Sequence, residues 1–366
     1  MRIKHSHPHV DIIQVLRALA AMLIVLLHTL HETRHLKSMQ PDQPDSAYAL
    51  NMGVDLFFII SGFVMVLASI DLFQRAGGAR TFFLRRLARI VPPYWITTSF
   101  FLIVMILTPK VLNSGAASLW DIIRSYCFIP YGAELSPVYK LGWTLNYEMF
   151  FYSCFALVLF MPRSRAIVSL TVVFISITIA GYFGQPEANL FRFWTNPIIL
   201  EFIMGAWIGM AYIRKIKIPR RWAAGMMALA VALVLSGFCA GDEGLLGRSL
   251  YWGLPAALFV AGSTLGGFSV GLACFSPVIY VGDASYTLYL WHPFVIRFSR
   301  EIWQRTGLFS GFGIFVYVLG SLAAAILVAC LIYKYLEKPI TRLAQRLLGV
   351  GGGRTAGPAP SENESS

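Results

Sequence analysis

Charge is scarce in this chain: Asp, Glu, Lys and Arg make up 13% of its 366 residues, against 57% for the apolar types. That balance excludes an ordinary water-soluble domain, in which about a quarter of residues are charged. Acidic residues are the scarcer sign, 18 against 30 Lys and Arg, for a formal charge of +12. The excess does not indicate nucleic-acid binding, because the basic residues fall in short connections between apolar runs, where membrane topology accounts for them. The five cysteines are scattered and show none of the pair spacings of metal or redox sites, so no metal centre is expected. The last stretch, VGGGRTAGPAPSENESS, has too few large apolar side chains to fold. Residues 347–366 are accordingly expected to form a disordered cytoplasmic tail, with no appended soluble domain.

What the chain does have is long apolar runs. Ten of them, near 11–30, 51–70, 90–108, 141–161, 166–184, 196–213, 222–239, 249–264, 276–298 and 311–333, are long enough to cross a bilayer as helices. The expected fold is an all-α polytopic bundle of about ten transmembrane helices within residues 1–346. The first run follows Arg2 and Lys4 but ends in HETRH without a small-residue cleavage site, so it reads as a retained helix. With the N-terminus inside, inner connections hold nineteen of the thirty Lys and Arg residues, which puts both termini in the cytoplasm. The boundaries within the Gly-rich stretch 264–283 are not defined by the pattern.

Ionisable groups within spans are costly, by about 2.5–3.5 kcal/mol even on lenient insertion scales, and therefore mark candidate sites. Arg17 and His28 lie eleven residues apart on the first helix, which is about 16 Å along the axis and within about 20° of one face. Tracing the spans in and out puts His28, Asp55, Glu148, Glu201 and His292 in one outer layer, a polar chamber built from five helices. Arg85, Arg86 and Arg89 open the third span on its inner side, with Arg86 and Arg89 on a common face. Guanidinium groups so placed suit phosphate; they serve equally as positive-inside anchors. Asp55 and Glu201 have structural readings as a helix cap and an interhelical bond. His292 reads equally as a packed histidine donating to a backbone carbonyl.

An inner phosphate grip joined to an outer acid/base chamber fits an acyl-coenzyme A donor. Its nucleotide would meet Arg85, Arg86 and Arg89, its thin arm would pass Arg17, and its thioester would reach His28. There a neutral imidazole would take the proton of an attacking hydroxyl, with Glu148 orienting the ring. The rival reading is a secondary transporter or glycan exporter, which also needs many spans and buried charges; no internal repeat supports it.

Arg17, ten intervening residues and His28, followed by GVDLFFIISGFVM, FFLRRLARIVPPYW, WTLNYEMFFY, GDASYTLYLWHPF and LEKP, together resemble acyltransferase family 3 of integral membrane proteins. Within it the chain is most similar to stand-alone enzymes that modify exopolysaccharide and other surface glycans. The resemblance spans about residues 11–340 and implies transfer of acyl groups, usually acetyl from acetyl-CoA as co-substrate with no permanently bound cofactor, onto glycan hydroxyls. It implies that Arg17 and His28 match the family's arginine and histidine pair, Arg86 and Arg89 its cytoplasmic arginine motif, and Glu148 the acidic residue of its fourth helix. Ser61 and Tyr286, inside these motifs, join Asp55, Glu201 and His292 as expected chamber or acceptor contacts. The expected partners are the lipid bilayer of a bacterial inner membrane, acyl-CoA, and a polysaccharide or lipid-linked glycan acceptor. Some members carry an extracytoplasmic hydrolase-like domain; none is expected here, so transfer would be completed by the membrane domain or by a separate envelope partner.

Overall fold

The computed structural model describes residues 8–34, 36, 48–107, 118–130, 136–185, 189–237, 246–268, 272–308 and 311–350. Among these, every regular element is helical, as expected where backbone N–H and C=O groups in lipid must pair within their own segment. The expected tail lies outside the described residues from 351 onward, as do residues 269–271 of the Gly-rich stretch.

The first half of the chain forms α1 (Pro8–Thr33), α2 (Met52–Ala68), α3 (Gly78–Leu107), a short α4 (Leu119–Tyr126), α5 (Trp143–Val158) and α6 (Arg163–Gly184). The second half forms α7 (Asn189–Trp194), α8 (Ile199–Ile213), α9 (Arg220–Leu235), α10 (Leu254–Leu265), α11 (Leu272–Asp283), α12 (Ser285–Gln304), α13 (Gly311–Ile332) and α14 (Lys338–Leu347). Among the described residues, six helical stretches, Asp11–Thr33, Ala49–Ala68, Gly78–Leu107, Arg163–Gly184, Leu190–Ile213 and Phe312–Leu347, are long and apolar enough to cross a membrane. The chain is thus an all-helical, multi-pass membrane protein.

Six is fewer than the ten runs expected, and the reasons are local. The helices α5 and α9 have 16 residues each, below the usual 17–25 of a spanning helix. The stretch Ser249–Leu265 is apolar but short, and it opens with a π-helical turn, Ser249–Gly253. The run expected at 276–298 is broken at Ala284 into α11 and α12, and α12 carries Arg297, Arg300 and Glu301 in its second half.

Two other boundaries also moved. α3 begins at Gly78 rather than near residue 90 and has 30 residues; at about 1.5 Å per residue it is longer than a hydrocarbon core of roughly 30 Å, so its basic first turns extend beyond it. α13 continues through a π-helical turn at Tyr333–Glu337 into α14 and ends only at Leu347.

The close approach of α2 and α8 sets the centre of the bundle. A Cβ at Gly62 would stand 2.0 Å from the Phe202 carbonyl oxygen, and one at Gly205 would stand 1.9 Å from that of Ile59. Only hydrogen fits there, which is how small residues let membrane helices touch backbone to backbone. Phe202 then stacks between Phe58 and Phe151, with centroids 4.7 and 4.6 Å away, locking α5 to the pair. α1 packs against α2, α11, α12 and α13, so its polar side chains point into protein rather than lipid.

Candidate active site

A cavity lined by residues of α1, α2, α3, α5 and α12 runs along the bundle interior. Its direction is given by the helices that line it. α2 contributes from Met65 and Val64 through Ser61 to Phe57 and Val54; α5 contributes from Tyr152 through Glu148 to Thr144; α12 contributes from Ser285 through Tyr286 to Tyr289. At the first end stand three guanidinium groups, Arg17 of α1 and Arg86 and Arg89 of α3. At the far end stand Val54, Phe57, Thr144 and Tyr289.

The arginine end carries the expected Arg17, Arg86, Arg89, Ser61, Tyr286 and Glu148 together. Glu148 faces Arg89 and Arg17, with the hydroxyls of Tyr152 and Ser61 beside it. The Ser61 and Tyr152 hydroxyls are 3.3 Å apart, and Arg17 donates to Gln14 Oε1 at 3.3 Å. Nε of Arg86 is buried with no hydrogen-bond partner among the described residues, a donor open to a ligand. Tyr286 donates to the Ile90 carbonyl at 2.9 Å, two residues before the Pro92–Pro93 pair inside α3.

Arg85 does not join this set. It follows from helical spacing that it points about 100° away from Arg86; it is exposed, and its Nε donates to the Val350 carbonyl at 3.4 Å.

His28 and His292 form a second, separate group just past the far end. Their rings are nearly parallel, 12° apart, and meet edge to edge, with centroids 4.9 Å apart and His28 Nδ1 2.7 Å from His292 Nε2. The Tyr289 ring lies 6.2 Å from that of His292, and Tyr289 also meets Phe57 edge to face at 6.1 Å, so this aromatic contact stands between the cavity and the imidazoles. Side chains on a helix lean toward its N-terminus, which tilts His28 back from the C-terminal end of α1 toward that contact. One turn beyond, Glu32 of α1 accepts from Arg297 Nε at 3.3 Å and Arg300 Nη1 at 2.7 Å, fixing the register of α1 against α12 so that the two histidines meet.

Asp55 and Glu201 form a third group and are absent from the cavity wall. Arg248 grips Asp55 with two parallel bonds, Nε to Oδ1 at 2.9 Å and Nη2 to Oδ2 at 2.8 Å. Glu201 is fully buried facing Asp55, and neither of its oxygens has a hydrogen-bond partner of normal geometry among the described residues. Among the described residues, the five side chains expected from span tracing to share one outer chamber thus fall into three separate groups. The reason is that depth along the membrane fixes a level but not an azimuth, and these helices face different neighbours. In particular, Glu148 sits with the arginines and does not orient His28; His292 contacts that ring instead.

Four polar wall residues, Thr144, Tyr152, Ser285 and Tyr289, are not among the candidates that the sequence marks. Tyr152 stands one turn from Glu148 and Tyr289 three residues from Tyr286, so helical spacing alone would have found both. Thr144, bonded to the Tyr289 hydroxyl at 2.9 Å, gave no signal beyond its place one turn before Glu148. Glu337, in the LEKP motif, accepts from Thr287 and faces Arg89 and Arg17, tying the end of the bundle to the arginine mouth.

The sequence profile described as an acyltransferase domain, that of acyltransferase family 3, matches residues 10–334. The chain belongs to this acyltransferase family. It is 32% identical over 311 residues to the exopolysaccharide production protein ExoZ of Rhizobium meliloti, covering 83% of this chain and 94% of that protein. It is 24% identical over 328 residues to the O-acetyltransferase OatA of Staphylococcus aureus, covering 80% of this chain and 52% of OatA. The putative peptidoglycan O-acetyltransferase YrhL of Bacillus subtilis is 23% identical over 329 residues, 79% of this chain and 50% of YrhL. The chain thus spans about half the length of the last two. No solved structure matches. Membership makes the chain a membrane acyltransferase and sets aside the transporter reading.

Proposed function

We propose that this acyltransferase moves an acetyl group from acetyl-CoA, bound from the cytoplasmic side, to a hydroxyl of an envelope glycan. The observation that carries the reading is the arrangement along one axis: three guanidinium groups at one end of a cavity and a histidine pair just past the other. Arg86 and Arg89 take the phosphates of the donor, Arg17 guides its thin arm, and the thioester passes between Phe57 and Tyr289 to reach His28.

There His28 acts as general base. The acceptor oxygen attacks the thioester carbon while its proton passes to the imidazole; the C–S bond then breaks, and the sulfur leaves with the proton returned by the imidazolium. An ester and free CoA thiol result, and His28 ends neutral. Glu148 holds Arg17 and Arg89 in place for the donor and takes no proton in the reaction. The similarity to an exopolysaccharide production protein and to O-acetyltransferases supports a glycan acceptor, either lipid-linked or polymerised. The same reading retains ten crossings, with both termini cytoplasmic in an inner membrane. It counts α5, α9, the Ser249–Leu265 stretch and α12 as short or charged crossings beside the apolar six.

The test uses the full chain in proteoliposomes, with radiolabelled acetyl-CoA on the arginine side and a glycan acceptor on the other. Label in the acceptor is the expected result. Movement of intact acceptor without label, or label only when donor and acceptor share the far side, would overturn it.

A further inference from the structure

We infer that His292 is a positioning residue that sets the tautomer of His28, leaving His28 Nε2 as the bare, basic nitrogen. The inference rests on the reading of His28 as the base and deepens it.

It follows from the two contacts made by the ring nitrogens of His292. His292 Nδ1 lies 3.0 Å from the Leu288 carbonyl oxygen. A carbonyl can only accept, so Nδ1 must carry the hydrogen. The Tyr289 carbonyl faces the same ring, and it is free to do so because Pro293 inside α12 lacks the N–H that would have claimed it. His292 is 1% exposed, and a buried imidazolium needs a carboxylate partner. Among the described residues the groups facing this ring are the Leu288 and Tyr289 carbonyls, the Tyr289 ring and His28, with no carboxylate among them, so it is neutral and its Nε2 bears a lone pair.

That lone pair points at His28 Nδ1, 2.7 Å away. Two bare nitrogens at that separation would repel, so Nδ1 of His28 carries the hydrogen and donates it. In a neutral imidazole the second nitrogen is then unprotonated, and His28 Nε2 becomes the acceptor of the substrate proton. When that proton arrives, the positive ring keeps its Nδ1 hydrogen bond to His292, which the two carbonyls polarise toward holding it. The arrangement does for this histidine what a carboxylate does in a hydrolase triad, namely fixing orientation and tautomer without itself exchanging a proton.

The experiment is solid-state nitrogen-15 NMR on the full chain in liposomes with imidazole-labelled histidine, assigning His28 by its loss in His28→Ala. The expected spectrum shows His28 protonated on Nδ1 and bare on Nε2. In His292→Phe that preference should vanish and kcat should fall about 100-fold or more, with the acyl-donor KM within about twofold. In His292→Gln, whose amide oxygen replaces the accepting nitrogen, both the tautomer and part of the rate should return. Wild-type His28 bare on Nδ1, or an unchanged His28 signal in His292→Phe, would overturn the inference. Full transfer by His28→Ala would instead overturn the reading of His28 as base, with the tautomer still decided by the spectrum.

Discussion

Arg248 and Asp55, 193 residues apart in the chain, form a two-pronged ion pair with bonds of 2.9 and 2.8 Å, and Asp55 is completely buried. Removing the guanidinium strands a carboxylate beside Glu201. Breaking such a pair costs about 3–5 kcal/mol, whereas removing both charges costs much less. Arg248→Ala is therefore expected to lower thermal stability in detergent sharply. Arg248→Gln combined with Asp55→Asn should recover most of it, as read by the midpoint of heat-induced aggregation. Equal loss in the single and double variants would contradict the pairing.

Arg86 and Arg89 line the cavity and Arg85 does not. A hydrogen bond to a charged group contributes about 1.5–3 kcal/mol. Arg86→Ala and Arg89→Ala should each weaken acetyl-CoA binding by about tenfold or more in a titration, while Arg85→Ala should change it by less than about twofold. Equal effects at all three positions would return the cluster to a topological role.

Glu148 faces guanidinium groups rather than an imidazole. Glu148→Gln should accordingly shift the dissociation constant of the donor by about fivefold or more, while the single-turnover rate at saturating donor stays within about twofold. A slow chemical step with normal donor binding would place the carboxyl in the proton transfer after all.

Gly62 meets the Phe202 carbonyl with no room for a methyl group. Gly62→Ala should force α2 from α8 and destabilise the protein by at least the 1–3 kcal/mol typical of overpacking, seen as a lower unfolding midpoint. Gly225, where a Cβ would meet nothing within 4 Å, serves as the neutral comparison.

The sequence was most legible where one helix sufficed. Arg17 and His28 share a face of α1, and Arg86 and Arg89 share a face of α3, because the 3.6-residue period fixes azimuth within a segment. Across segments it fixed only depth, so Asp55, Glu148, Glu201, His28 and His292 were gathered into one chamber that the fold divides into three. Arg248, which decides the environment of Asp55, stands just before a π-helical turn and shows no periodicity to follow. Ala284, which splits one expected span into two helices, lies in the sequence Gly282-Asp283-Ala284-Ser285, at the edge of the stretch whose boundaries the pattern leaves undefined. The pairing of His28 with His292 depends on Glu32 meeting Arg297 and Arg300, contacts 265 and 268 residues apart that no local pattern encodes.

The central claim is that the donor binds at the arginine end while His28 performs the transfer, and single-turnover transfer by His28→Ala tests it most directly. The purified variant, given radiolabelled acetyl-CoA and glycan acceptor, should bind the donor with the wild-type dissociation constant and pass no label. Transfer at the wild-type rate would contradict the account.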